Sequence, residues 1–273
     1  MAGIVTRDEP EVAWSEFDRA FYEHKSVSGR ASEPIADGIN TLSCFADNAA
    51  TRENPDLLAI SESGEAATRE RPYFDWSHVC PTHEEYRAGL LEMIADAGAE
   101  SGDVRLDDVG FPRAEYCHCD RCDRAFAESG FEDRPAWRGS VIEEFLAAAR
   151  ERVPGDLFLA LYPDPYPGHL YERSGIDPDA AAEYVDEFVV PLYDTAYGTT
   201  YWLESLASGF ADALSKPLTV ELYAVDVDID ALVHATEVAE AYADHVCYGY
   251  DASTARAAIR RRGADEGVTH RPD

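Results

Sequence analysis

From Ile39 onward the chain alternates between short, almost unbroken apolar runs and longer stretches with helical periodicity. "INTLSCFA" (Ile39–Ala46) reads as a buried strand. "HEEYRAGLLEMIADAG" follows, with Tyr86, Leu90, Met93, Ile94 and Ala97 on one helical face. "DVRLDDVGF" is the next strand and "WRGSVIEEFLAAARERV" the next helix, closed by Pro154-Gly155. The same alternation continues through the strands "LFLALYP", "VVPLYDTA", "LTVELYAV" and "HVCYGYD". The helices between them are "DPDAAAEYVDEF", with Asp177 as N-cap before Pro178, "TYWLESLASGFADAL" and "DIDALVHATEVAEAYA", and "STARAAIRRR" closes the series. Continuous apolar strands suit a parallel sheet covered on both faces. Repeated strand–helix units predict a (β/α)8 TIM-type barrel, with an open doubly wound sheet as the alternative. No Gly-x-Gly-x-x-Gly or phosphate loop follows any strand, which counts against a nucleotide-binding sheet.

The N-terminal portion is less regular. "GIVT" reads as a strand and "VAWSEFDRAFYEH" as a weakly amphipathic helix, giving seven strands. The expectation is therefore one barrel domain over residues 1–273 that lacks its first strand, with "GIVT" as the second. The stretch 48–80 has no long periodic segment. In a barrel it leaves the carboxyl end of a strand, the face where barrel enzymes place their active sites, and its Tyr73 and Trp76 are candidates for stacking on a sugar ring.

Composition narrows the partners. Hydrophobic residues make up 45% of the chain, enough for a sizeable core, but 54 acidic residues face 23 basic ones, for a formal charge of −31. Such an excess repels nucleic acid and anionic membranes, and no apolar run is long enough to span a bilayer. The acids are spread over every predicted helix, and Lys25 and Lys216 are the only lysines. In this the chain resembles haloarchaeal proteins, in which salt screens the self-repulsion. The start lacks the pattern of a secretory signal, so the expected location is cytoplasmic, and a homo-oligomer stays open.

Two constellations carry chemistry. Cys117, Cys119 and Cys122 form a C-x-C-x₂-C segment within the 112–136 loop, close enough to converge on one ion. Cys80, Cys44, Cys247, His118 and His83 are candidates for a fourth ligand. Cys44 and Cys247 lie inside predicted strands, whereas Cys80 sits at the same barrel face in the neighbouring unit. Four thiolates would make a closed, structural zinc site without an open position for water. The second constellation is "VRLDD". Arg105 and Asp107 share one side of the strand and Asp108 points the other way. Arg105 is expected to depress the Asp107 pKa and keep it ionised as a nucleophile or electrostatic stabiliser. For a second carboxyl group, Glu221 is the first choice as general acid/base and Asp194 the second. Around them, Tyr193, Trp202 and Tyr223, with Tyr197, Tyr248 and Tyr250, offer aromatic surface for carbohydrate.

The order "ENPDLLAI…W…CPTHEEYR…VRLDDVGFP…CHCDRC…F", Glu53 to Phe126, resembles the β/α-barrel glycoside hydrolase-like proteins, including the hypothetical glycosyl hydrolase group. The cysteine segment is similar to the zinc site of family 42 β-galactosidases, which implies Cys80, Cys117, Cys119 and Cys122 as ligands. "RLD" resembles the fourth-strand Arg-x-Asp of the α-amylase superfamily, which implies Asp107 as nucleophile, Arg105 as its partner and Ile39–Ala46 as the third strand. Glu221 would then lie on the seventh strand, where family 42 enzymes carry their nucleophile. The chain departs from both patterns. Asp107-Asp108 replaces the fourth-strand Asn-Glu pair of family 42, and the fifth-strand Glu of the α-amylases is absent. The expected activity is hydrolysis of a glycosidic bond by an Asp/Glu pair, with Arg105, Asp108, Trp76, Tyr193, Trp202 and Tyr223 binding the sugar. The rivals are a non-catalytic carbohydrate-binding barrel and an inactive or truncated homologue. A metal-dependent hydrolase is disfavoured because no His-x-His or His-Glu-x-x-His pattern occurs.

Overall fold

A computed structural model describes residues 2–166 and 168–269. Eight parallel strands close a barrel in sequence order: β1 (Ala2–Thr6), β2 (Arg19–Lys25), β3 (Ile39–Ser43), β4 (Val104–Asp107), β5 (Leu157–Ala160), β6 (Glu187–Pro191), β7 (Leu218–Tyr223) and β8 (His245–Gly249). Pairing of β1 with β8, Gly3 opposite Cys247, seals the ring. The helices are α1 (Glu9–Val12), α2 (Asn48–Glu53), α3 (Glu84–Ser101), α4 (Asp120–Ser129), α5 (Arg134–Arg150), α6 (His169–Ser174), α7 (Pro178–Ala181), α8 (Tyr201–Ala213), α9 (Ile229–Glu240) and α10 (Ala252–Thr269). Many begin where an aspartate can cap them. Asp47, Asp133, Asp177 and Asp228 each accept a backbone N–H from the first turn of α2, α5, α7 and α9. Among the described residues no helix is long and apolar enough to cross a membrane.

The barrel is a TIM barrel, and its first strand is present. "GIVT" belongs to β1 rather than to a second strand, and the strand that sequence periodicity missed is β2. On β2 the alternate residues Arg19, Phe21, Glu23 and Lys25 hide its character, because three of these four are charged. Each charge has a partner: Arg19 with Glu187 at 2.7 Å, Glu23 with Arg7 at 2.6 Å and Lys25 with Asp47 at 3.1 Å. Burial without partners would have cost several kcal/mol per charge. A register shift between Glu23 and Lys25 marks a bulge near the end of this strand.

Successive strand residues part into two cores. Val5, Phe21, Ile39, Phe158, Val189 and Cys247 fill the barrel interior, with Phe21 and Phe158 edge to face at 5.4 Å. The larger cluster, including Ile4, Leu42, Leu106, Leu159 and Val220, lies between the strands and the helices. The inner apolar layer is bounded by charge at both ends. Arg19, Glu187 and Thr219 join near the amino ends of β2, β6 and β7. Arg105 lies at the other side of the layer, its guanidinium 5.1 Å from the Phe21 ring centroid.

Candidate active site and cysteine centre

Arg105 is nearly fully buried and organises the carboxyl end of the barrel. Its Nε donates to Asp107 Oδ1 at 2.7 Å and its Nη2 to Asp107 Oδ2 at 3.2 Å, a bidentate pair within β4. The same Nη2 lies 2.6 Å from Glu221 Oε2 on β7. Because both carboxylates meet one nitrogen, their nearest oxygens are closer together than these 3.2 Å and 2.6 Å contacts laid end to end. The two acids are not equivalent. The Asp107 side chain keeps 21% of its surface and Glu221 keeps none. The Tyr193 hydroxyl donates to Glu221 Oε1, while Tyr193 as a residue is 41% exposed. Tyr193 therefore links the buried Glu221 to the open face, and its ring packs on Tyr223 at 5.3 Å.

The expectation that Arg105 depresses the Asp107 pKa is overturned. Burial pushes the Asp107 carboxyl up to about 7 against the pull of Arg105, and the neighbouring Glu221 charge adds to the rise. One guanidinium divided between two carboxylates does not offset the desolvation of Asp107. Burial, followed by the charges of Glu221 and Asp107, also raises the Tyr250 hydroxyl, which places that side chain beside the pair. Tyr250 and Asp108 adopt left-handed backbone, φ 74° and 53°, just beyond the ends of β8 and β4. Non-glycine residues rarely hold that conformation, and it concentrates at functional sites.

Asp108 takes its own partner, accepting from Ser43 Oγ at 2.6 Å. Behind it Lys25 donates to the Ser43 carbonyl at 2.8 Å and pairs with Asp47, which also accepts from Tyr86 at 3.1 Å. This buried network roots the long 48–80 segment against the barrel. Sequence reading did not select Lys25, Asp47, Ser43, Glu23 or Arg7. The usable signal was Lys25, one of two lysines in the chain and placed beside an apolar run.

The other residues selected from sequence are dispersed. Asp194 turns back to accept the Ala196 N–H at 3.1 Å. Trp202 lies on α8 and packs on the outer core. Tyr248 also faces outward, its hydroxyl 3.0 Å from Thr236 on α9, so it does not join the aromatic face. Trp76 packs 6.3 Å from His78, and Tyr73, 42% exposed, lies under the Arg113 guanidinium at 4.8 Å.

The cysteines converge. The Sγ atoms of Cys80, Cys117, Cys119 and Cys122 all lie within 4.8 Å of one another, with Cys80 3.3 Å from Cys122 and 3.7 Å from Cys119. A tetrahedral ion with bonds near 2.3 Å sets its sulfurs about 3.8 Å apart, so the donor set fits a metal ion. The surroundings also suit thiolates. The Ile60 N–H donates to Cys117 at 3.2 Å, and Thr82 Oγ1 lies 3.1 Å from Cys80 and 3.2 Å from Cys122. The four thiols share their hydrogen bonds unequally, which lowers the pKa of Cys119 and raises those of Cys117 and Cys122. Cys44 and Cys247 are buried elsewhere, and burial raises both thiols. His118 stands outside the cluster, 3.8 Å from Asp123. A cavity of about 830 Å³ opens beside Cys119, lined also by His83, His118 and Arg121, on the outer side of this loop.

No family model matches the chain, and no curated protein matches it. Solved structures do. α-L-Fucosidase isoenzyme 2 from Paenibacillus thiaminolyticus superposes with a TM-score of 0.68 at 14% identity, covering 98% of this chain and 49% of the fucosidase. This chain thus spans about half the length of that enzyme. A class V chitinase from Pseudomonas fluorescens gives 0.47 at 13% identity over 82% of this chain and 68% of its own. A β-mannanase from Alicyclobacillus acidocaldarius gives 0.41 at 12%, covering 97% and 96%. At 14% identity the likeness to the fucosidase shows the barrel fold alone, which many chemistries share.

Proposed function

We propose that this barrel is a glycoside hydrolase-like enzyme that cleaves a glycosidic bond with Asp107 and Glu221. The observation that carries the reading is the shared Arg105, which holds two carboxylates at the carboxyl end of the barrel. Their proximity lies on the short side of the roughly 6.5–9.5 Å spacing of inverting pairs, so the reaction retains configuration. A pKa near 7 at Asp107 leaves much of its carboxyl ionised at neutral pH. The Asp107 anion is the nucleophile and Glu221 the general acid. Asp107 attacks the anomeric carbon as the glycosidic C–O bond breaks. The leaving oxygen takes the Tyr193 hydroxyl proton, and Glu221 replaces it. Water then displaces Asp107, passing its proton to Tyr193 as the Tyr193 proton returns to Glu221. Tyr193 and Tyr223 are the sugar-facing aromatic surface, and Asp108, anchored on Ser43, is a supporting acid.

The cysteine centre is proposed as a structural zinc site. Four thiolates leave no open position, so the ion would cross-link the loop after β4 to the segment before α3 and take no part in the reaction. Six free thiols suit a reducing, cytoplasmic setting. The acidic surface suits high salt, and refolding yield should rise with potassium chloride. Equal stability without salt would remove that part of the reading.

Aryl glycosides offered in high salt to the parent, Asp107→Asn and Glu221→Gln test the proposal. Cleavage by the parent, with a loss of at least about a hundredfold in each variant, supports it. Undiminished rates in both variants contradict it, as does binding of sugars by a parent that cleaves none.

A further inference from the structure

Arg138 on α5 is nearly fully buried and spends its guanidinium on four backbone carbonyls. Nη1 donates to Ala114 at 3.1 Å and Glu172 at 3.0 Å, and Nη2 to Arg113 at 3.0 Å and Arg173 at 2.6 Å. It thereby staples the loop after β4 to α6. The Phe111 N–H donates to the Ser174 carbonyl at 2.9 Å across the same seam. A Cβ on Gly110, whose φ is 119°, would meet Ser174 at 2.8 Å, so the seam has no room for a side chain. The consequence is that Arg113 and Arg173 line one shallow pocket of about 200 Å³ with Glu115, Asp164, His169 and Glu172.

Four of these groups are already paired. Arg113 bonds Glu115 at 2.8 Å, and His169 lies 3.1 Å from Asp164. Arg173 is the exception. Its guanidinium lies 3.7 Å over the Tyr162 ring, and no carboxylate among the described residues comes within ion-pair distance, in a chain with 54 acids. Burial, with the adjacent Arg113 charge, lowers its pKa against the opposing pull of the Asp164 and Glu115 charges. An arginine stacked by its face keeps its N–H edge free, and that edge matches a planar carboxylate. The exposed residues Tyr162 and Tyr73 each lie under one of these arginines, behind the pocket lining.

We infer that this pocket, between the loop that follows Asp107 and α6, binds the carboxylate of an acidic sugar, so that the substrate is a uronic-acid-containing glycan. The inference rests on the glycosidase reading for its location, and its test is independent of turnover. Calorimetric titration of Asp107→Asn with galacturonate and glucuronate, beside galactose and glucose, is done at the lowest salt that keeps the protein folded. At least tenfold tighter binding of each uronate than of its neutral partner is expected. Arg173→Gln in the same background should abolish the preference, with an unchanged melting temperature showing that the fold is intact. Glucose 6-sulfate separates a planar carboxylate site from a general oxyanion site. Sulfate binding as tight as glucuronate, no uronate preference, or a preference surviving Arg173→Gln each overturns the inference. A protein that cleaves neutral glycosides through Asp107 without uronate preference would sink this inference and leave the proposed function standing. Uronate binding by a parent that cleaves no glycoside would do the reverse.

Discussion

Arg105 on β4 and Glu221 on β7 meet at 2.6 Å across the barrel with almost no surface exposed on either side chain. This contact divides one guanidinium between two acids and leaves Asp107 the more open of the pair. Glu221→Gln removes the negative charge that helps raise Asp107 and frees Arg105 for it. Two effects should appear together in a pH-resolved kinetic comparison. The rate falls by about 10²–10⁴, as for loss of a general acid/base, and the Asp107 titration moves to lower pH. A fall in rate with no movement of the titration would show that Glu221 does not sense Asp107.

Tyr193→Phe tests the link between Glu221 and the open face. The ring and its packing on Tyr223 stay, and only the hydroxyl is lost. A drop of about a hundredfold in kcat with little change in KM is expected. A change confined to KM would reduce Tyr193 to a stacking surface.

Activity should rise with pH as it climbs through about 7. Asp107 is raised to about 7, so below this its carboxyl carries a proton and cannot attack, and above it the anion is available. Steady-state rates between pH 5 and 9 check this. Rates that stay flat from pH 5 to 8 would contradict it.

The same shift has a consequence for stability. The folded-state pKa of Asp107 lies above its unfolded value of about 3.9, so the folded state binds the proton more tightly. Stability from this group is full below pH 4 and falls as pH climbs to about 7, by up to roughly 4 kcal/mol. Asp107→Asn removes the titration. Denaturation should find this variant level with the parent near pH 4 and more stable at pH 8. A variant less stable at pH 8 would show that the Asp107–Arg105 pair outweighs its burial.

Much of this was legible in the sequence, for identifiable reasons. β5 to β8 are mostly apolar, so periodicity found them. β3 was found from the stretch Ile39–Ala46, and β4 from Val104 and Leu106 in the apolar stretch that runs on to Phe111. β2 was not found, because Arg19, Glu23 and Lys25 serve the charged layers at the two ends of the barrel, and charge there mimics a surface helix. The C-x-C-x₂-C spacing pointed to a metal centre, and placement of Cys80 at the same barrel face completed it. Asp107 and Arg105 were paired by strand alternation alone. The sign of the Asp107 shift was not accessible, since it depends on Glu221, more than a hundred residues away, competing for the same guanidinium. Nor could periodicity tell that Tyr248 turns to α9 while Tyr193 turns to Glu221.

Removal of the metal should loosen the loop that carries the site. Mass spectrometry under native conditions should find about one zinc per chain, and Cys119→Ser or prolonged chelation should lower the melting temperature by several degrees. Less than half an equivalent, with melting unaffected by chelator, would contradict a structural ion.

The most direct test is to locate the covalent intermediate. The parent is exposed to an activated 2-fluoro glycoside of the sugar it cleaves, and the labelled peptide is mapped by mass spectrometry. One glycosyl group on Asp107, absent in Asp107→Asn, is the predicted result. A label on Glu221 or Asp194, or continued turnover with no label, would contradict the account.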